Sequence, residues 1–318
     1  MKPVTIRDLA EAAGTSIATV SRALSGAPKV GRETRSRIIH LAEELGYRSG
    51  NHHKTIGLVL PSLEMPRFDA YTATLQKALT LEIYRRGFRT VILSFEDIEL
   101  LNETLVDGVL SFDFLGRIGK HWPRIKSLPL VCLNDLPNNL DQVYSVASDE
   151  LQGMKLGVDY LVNRGHRRIG FLRYTSPKFW KDVRRQTGFL AAMREHRLES
   201  TAFVELYSTQ SDYNALGALL DKKVTAIIAA DGESAGARIQ GILQQFGKRV
   251  PEDISIIGWE SEQVSCFLRP RQTTLAQNFP KLAAESLNLL EHLMNGTPHQ
   301  RNVLVEYRLI ERDSVAVL

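Results

Sequence analysis

Thr5-Ile-Arg-Asp-Leu-Ala-Glu-Ala-Ala-Gly-Thr-Ser-Ile-Ala-Thr-Val-Ser-Arg-Ala-Leu-Ser-Gly26 carries two short helical patterns that meet at Gly14-Thr15-Ser16. Ile6, Leu9, Ala10 and Ala13 mark the inner face of the first pattern, and Val20 and Leu24 that of the second. Ser16 is placed to cap the second helix. A helix-turn-helix this tight leaves the start of its second helix protruding, where it fits a DNA major groove. Ile17, Ala18, Ser21 and Arg22 are the residues predicted to lie exposed there, a set suited to base edges and phosphates. The plain alternative is a helical hairpin with one surface arginine.

Charge favours DNA over that alternative. Residues 1–54 hold nine Lys or Arg against five Asp or Glu, while residues 55–318 hold 31 of each. The net charge of +4 therefore sits entirely on the segment with the helix-turn-helix. A localised basic surface is what counterion release at a phosphate backbone requires. A third helix, from about Glu33 to Leu45, turns Ile38, Ile39, Ala42 and Leu45 inward and stops at Gly46. Residues 1–47 thus read as a three-helix DNA-binding domain, and 48–55 as a short polar linker.

From Ile56 onward, short apolar runs alternate with amphipathic helical patterns. Strands are predicted at Ile56–Leu60, Thr90–Ser94, Gly108–Ser111, Leu130–Leu133, Ile169–Leu172, Ala226–Ala230 and Ser255–Gly258. Helices are predicted near Asp69–Arg86, Leu151–Arg164, Val183–His196, Ser234–Phe246 and Pro280–Met294. Alternation of this kind means parallel sheets covered on both faces, and so many strands imply two doubly wound subdomains with ligand groups at strand carboxyl ends. No glycine-rich phosphate loop follows the first strand, no G-x-S-x-G elbow is present, and no histidines stand at metal spacing. An enzyme, a metal site and a cofactor are not expected. Cys132 and Cys266, far apart in apolar surroundings, fit a reducing cytoplasm, and no apolar run reaches membrane-spanning length.

Val4-Thr-Ile-Arg-Asp-Leu-Ala10, Ser16-Ile-Ala-Thr-Val-Ser-Arg-Ala-Leu24 and Leu45-Gly-Tyr47 resemble the head-piece of the lactose-repressor (LacI/GalR) family. Ile56-Gly-Leu-Val59, Val106-Asp-Gly108, Gly165-His-Arg-Arg-Ile-Gly170, Val250-Pro-Glu-Asp-Ile-Ser-Ile-Ile-Gly258 and Pro270-Arg-Gln-Thr-Thr274 resemble its core in the same order. The resemblance implies a helix-turn-helix domain joined to a periplasmic-binding-protein-like core of two parallel-sheet subdomains, residues 56–318. They are expected at about 56–148 with 275–307 and about 149–274 with 308–318. It also implies a homodimeric cytoplasmic transcription regulator, a repressor of carbohydrate utilisation, that binds a pseudo-palindromic operator at the nucleoid and answers to a small effector.

Carried over residue by residue, the resemblance makes Ile17, Ala18 and Arg22 base readers, and Thr5, Ser16, Thr19 and Ser21 phosphate-side hydroxyls. It makes Arg185, three before Gly188-Phe189, the ligand-clamping arginine. Phe68, Tyr213 and Phe279 match aromatic walls or are simply core, and Asp149, Asp231 and Glu260 match acidic ligand positions. Ala230 stands where an asparagine is common, and Arg67 where an aromatic is common. The loss of an amide and gain of a guanidinium point to an anionic sugar derivative. Control by a partner protein is the second reading, and a sugar-binding protein or enzyme without a DNA role is a distant third. Two segments are shorter than the family's: Ser94 to Asp107, and the linker, where no Leu, Ile, Val, Phe or Met is available for the usual hinge-helix wedge.

Overall fold

The structure is a computed structural model that describes residues 4–47, 54–60, 70–112, 128–134, 144–174, 180–207, 212–230, 232–259, 265–297 and 300–318. The first helices are α1 (Ile6–Ala12), α2 (Ile17–Leu24) and α3 (Arg32–Glu44). Thr5 begins α1 with a capping box: Asp8 N donates to Thr5 Oγ1 at 3.3 Å, and Thr5 N donates to Asp8 Oδ2 at 2.7 Å. Gly14 holds a φ of +60° with nothing near its missing side chain, so the turn needs glycine for its backbone alone. Leu9, Val20, Ala23, Ile38, Ala42 and Tyr47 close a small core of their own. Arg37 ties α3 to the end of α1 by donating to Ala13 O at 3.1 Å.

The chain folds into two compact units, residues 1–66, 79–146 and 283–303 in one and 67–78, 147–282 and 304–318 in the other. One sheet contains β1 (Thr55–Leu60), β2 (Arg89–Ser94), β3 (Gly108–Ser111), β4 (Leu130–Leu133), β5 (Tyr144–Ser148) and β11 (Asn302–Val305), in the order β11-β5-β4-β3-β1-β2. The other contains β6 (Ile169–Tyr174), β7 (Ala202–Tyr207), β8 (Ala226–Ala229), β9 (Ser255–Trp259), β10 (Thr273–Ala276) and β12 (Arg308–Ile310), in the order β12-β10-β9-β8-β6-β7. Pairings of β1 with β2 and β3, and of β6 with β7 and β8, are parallel; β12 runs antiparallel to β10. Each sheet therefore reverses its winding beside its first strand, at β1/β3 and at β6/β8, the places where doubly wound folds bind ligands.

Helices α4 (Ala70–Arg85), α5 (Glu150–Asn163), α6 (Trp180–Glu195), α7 (Asp212–Asp221), α8 (Gly232–Gln245) and α9 (Phe279–Met294) complete the layers. Between β2 and β3 the chain forms only a 3-10 segment, Phe95–Glu103, as the shortened sequence there predicts. Strands β5, β7 and β10 to β12 and helix α7 add to the elements expected from sequence, and β10 lies wholly in the second sheet although residues from 275 onward are expected to leave it. The expectation about the linker falls on residues 48–53, outside the described residues.

Candidate functional sites

The surface expected to face DNA is built on α2. Ser16 caps it, Thr19 N donating to Ser16 Oγ at 3.1 Å, and the Ser16 and Thr19 hydroxyls lie 2.9 Å apart. Val20 and Ala23 face inward, which leaves Ser16, Ile17, Ala18, Ser21 and Arg22 exposed along the opposite edge and Thr19 half-buried. Ile17 is 44% exposed at the first position of the helix. The described head thus brings the expected base readers onto one edge. The Thr5 and Ser16 hydroxyls serve as helix caps there, and Thr5 Oγ1 also donates to Asp8 Oδ2 at 2.8 Å.

Two further polar side chains, Lys29 and Thr34, lie beside this edge. Thr19, Arg22, Lys29, Val30, Gly31 and Thr34 line a shallow cavity of about 190 Å³ at the start of α3. Gly31, the N-cap of α3, offers no side chain to the amides of the first turn. Two cations, two hydroxyls and uncapped helix amides make a cradle for an anion. The sequence patterns do not single out Lys29 and Thr34, because the loop before α3 carries no apolar period; Gly31 as N-cap, two residues after Lys29, is the signal it holds.

In the second unit, Arg185 on α6 reaches the carboxyl end of β8, beside the switch point. Its Nε donates to Glu150 Oε2 at 2.7 Å and its Nη2 to Glu150 Oε1 at 3.3 Å, a bidentate pair. Nη1 donates to Ala230 O at 3.0 Å, and the guanidinium lies 4.8 Å from the centre of the Trp259 ring. Glu150, at the first position of α5, is 1% exposed, against 11% for the side chain of Arg185. The positive end of the α5 dipole adds to the arginine in holding that carboxylate. Tyr307 Oη donates to Glu150 Oε1 at 2.9 Å and accepts from Trp259 Nε1 at 3.1 Å. Burial, with the charge of Glu150 beside it, pushes the Tyr307 phenol well above its ordinary value, so it stays a donor. Gly153 permits this packing: a Cβ there would lie 2.7 Å from the Tyr307 ring.

The other expected effector residues that are described take part in local contacts. Asp149 caps α5, accepting from Leu151 N at 3.2 Å and Gln152 N at 3.3 Å, and Arg184 stands 3.9 Å from it. Tyr213 stacks on Phe246 with ring centroids 4.3 Å apart, and Phe279 packs against Tyr71 at 5.7 Å. Arg67, Phe68, Asp231 and Glu260 lie outside the described residues. Glu150, Trp259 and Tyr307 are the partners of Arg185 that sequence reasoning missed. Among the described residues no group of three His, Cys, Asp or Glu gathers for a metal, and no helix is long and apolar enough to cross a membrane.

Residues 5–49 match the model of the bacterial regulatory proteins of the lacI family, and residues 158–315 match a periplasmic binding protein-like domain. The chain is 26% identical to the NTD biosynthesis operon regulator NtdR of Bacillus subtilis (strain 168), over 98% of its own length and 99% of that protein's. It resembles the structure of the transcriptional regulator CelR–cellobiose complex with a TM-score of 0.70 and 25% identity, covering 98% of this chain and 99% of that one. It shares the fold of the lac repressor dimer bound to operator and the anti-inducer ONPF, with a TM-score of 0.69 and 24% identity over 99% of this chain and 100% of that one.

Proposed function

Because the chain belongs to the lacI family of bacterial regulatory proteins, DNA-binding transcriptional regulators and not enzymes, we propose that it is a homodimeric repressor of a carbohydrate-utilisation operon. It binds a pseudo-palindromic operator and is released or recruited by a sugar-derived effector. The observation that carries this reading is the exposed edge of α2, joined to a head that holds all the net positive charge of the chain. In the reading, Arg22 and Ile17 contact bases while Lys29, Thr34 and the α3 amides hold a phosphate. Leu81 and Tyr84, three apart and exposed on α4, and Ile92, exposed on the edge strand β2, offer an apolar face for a second copy.

For the effector, the pairing of Arg185 supports a neutral, hydroxyl-rich sugar over the anionic derivative that the sequence leads one to expect. Both edges of the Arg185 guanidinium are engaged, and Glu150 cancels its charge. An effector carboxylate would have to displace a buried carboxylate that is bidentate already. The CelR–cellobiose complex is a relative whose structure holds a neutral sugar.

Selection of operator fragments from the source genome by the full chain, followed by anisotropy titration with neutral sugars and sugar acids, tests the whole reading. A palindromic consensus whose affinity changes with a neutral sugar is expected. Uniform binding to all fragments, with a slope in salt and no consensus, removes sequence-specific regulation. A response confined to sugar acids removes the neutral-effector assignment alone.

A further inference from the structure

Leu105, Val106 and Asp107 are consecutive residues that serve three different parts of the first unit. Leu105 packs against the head core formed by Leu9, Val20, Ile38, Ala42 and Tyr47. Val106 enters the core of the sheet with Val59, Ile98, Leu101 and Val109. Asp107 clamps the chain where it leaves the linker: Thr55 N donates to its Oδ2 at 2.7 Å, and its own N donates to Thr55 O at 2.8 Å. On the same side α3 rests on the 3-10 segment, Phe95–Glu103. His40, Glu43 and Glu44 of α3 face Asp107, Leu128 and Leu293 across a cavity of about 560 Å³.

We propose that Leu105 is a latch that docks the DNA-binding head onto the sheet subdomain beneath it. The β2–β3 connection, with its 3-10 segment against α3, seats Leu105 on the head core. Docking uses α3 and leaves Ser16, Ile17, Ala18, Ser21 and Arg22 exposed, so the docked head is ready to bind DNA. Orientation of the reading helix then comes from a packed apolar contact and not from the linker. This rests on the reading of α2 as the DNA surface only for its DNA measurement; the docking itself is independent of it.

Trypsin cleavage of the full chain in the linker, which carries Arg48 and Lys54, reports how long the head stays docked. Leu105→Asn is expected to release the head fragment about tenfold faster while the unfolding of the core is unchanged. If the asparagine variant does not fold, Leu105→Ala is expected to act in the same direction by a smaller factor. Six Gly-Ser residues inserted after Asn51 complete the test. In the parent chain the insertion is expected to leave operator affinity unchanged, and in Leu105→Asn to lower it about two- to threefold, because only there does the linker set the effective concentration of the second head. Equal cleavage rates for Leu105→Asn and parent, or an equal loss on insertion in both, overturn the latch. A parent chain that selects no operator overturns the regulator reading and leaves the cleavage result to decide the latch.

Discussion

Arginine does opposite work at two places in this chain. Arg22 is exposed near the end of a short helix, and its guanidinium is available to a base. Its replacement by Ala is expected to cost about 1–3 kcal/mol per half-site and to relax preference at one base pair, read from affinities on operators varied at each position. Equal weakening on specific and random DNA would make Arg22 a phosphate contact. Arg185 is buried against Glu150, so Arg185→Ala is expected to destabilise the protein by about 3–5 kcal/mol in denaturant unfolding, because it strands a charge. Glu150→Gln frees the guanidinium and is expected to shift effector preference toward sugar acids; an unchanged ranking in calorimetry means that Arg185 does not face the effector. His166 gives the pH dependence. Its Nε2–H donates to Ala316 O at 3.3 Å and its Nδ1 lies 2.9 Å from Thr225 Oγ1. Burial, with Arg164 and Arg167 nearby, lowers its pKa below the ordinary 6.5. In that window the unfolded chain binds more protons, so stability is full above pH 6.5 and is lost as pH falls below it. Thermal scans between about pH 7.5 and 5.5 should show this decline, and His166→Asn should flatten it.

At the scale of elements, what the sequence made legible followed hydropathy, and what it hid followed distant hydrogen bonds. α2 and α3 were readable from their period and caps, and β1, β3, β4, β8 and β9 from their runs of Val, Ile and Leu. β5, Tyr-Ser-Val-Ala-Ser, buries Ser145 and Ser148, whose hydroxyls donate to Asn302 Oδ1 and Gln277 Oε1 at 2.8 Å. β10 buries Thr273, whose hydroxyl accepts from Arg312 N at 2.9 Å. Their partners stand well over a hundred residues away for β5 and 39 for β10, beyond any local window. The site divides in the same way. Arg185 was legible by resemblance, whereas Glu150 and Tyr307 become its partners only when α5 and the end of the chain meet it. The start of α3 yields a prediction of its own. Lys29→Ala should weaken all DNA about equally and reduce the salt slope of binding by about one, in contrast to Arg22→Ala. A base-specific effect of Lys29→Ala would move the phosphate elsewhere.

For the whole molecule, the decisive question is how two heads meet one operator. Residues 48–55, Arg-Ser-Gly-Asn-His-His-Lys-Thr, contain no apolar side chain long enough to enter between base pairs. Eight residues reach at most about 26–29 Å when fully extended. Gly50 and its polar neighbours are poor material for a single stable helical turn, which lacks the length to offset its nucleation cost. A kink at the operator centre costs a few kcal/mol of unstacking and needs a wedge to offset it. Without one, the centre of the operator should remain stacked and the two heads should read a nearly straight duplex. On the proposed reading, the effector acts by changing the distance between docked heads. Fluorescence energy transfer across a labelled operator should give the same end-to-end distance free and bound, and circular permutation of the site within a fragment should leave gel mobility flat. Substituting Leu for Asn51 or His52 should leave that flat profile in place, because a wedge without a hinge helix has nothing to drive it between the bases. A sharp bend centred on the palindrome in the parent chain would mean that the linker inserts by another route, and the mechanism of two rigidly spaced heads would have to be given up.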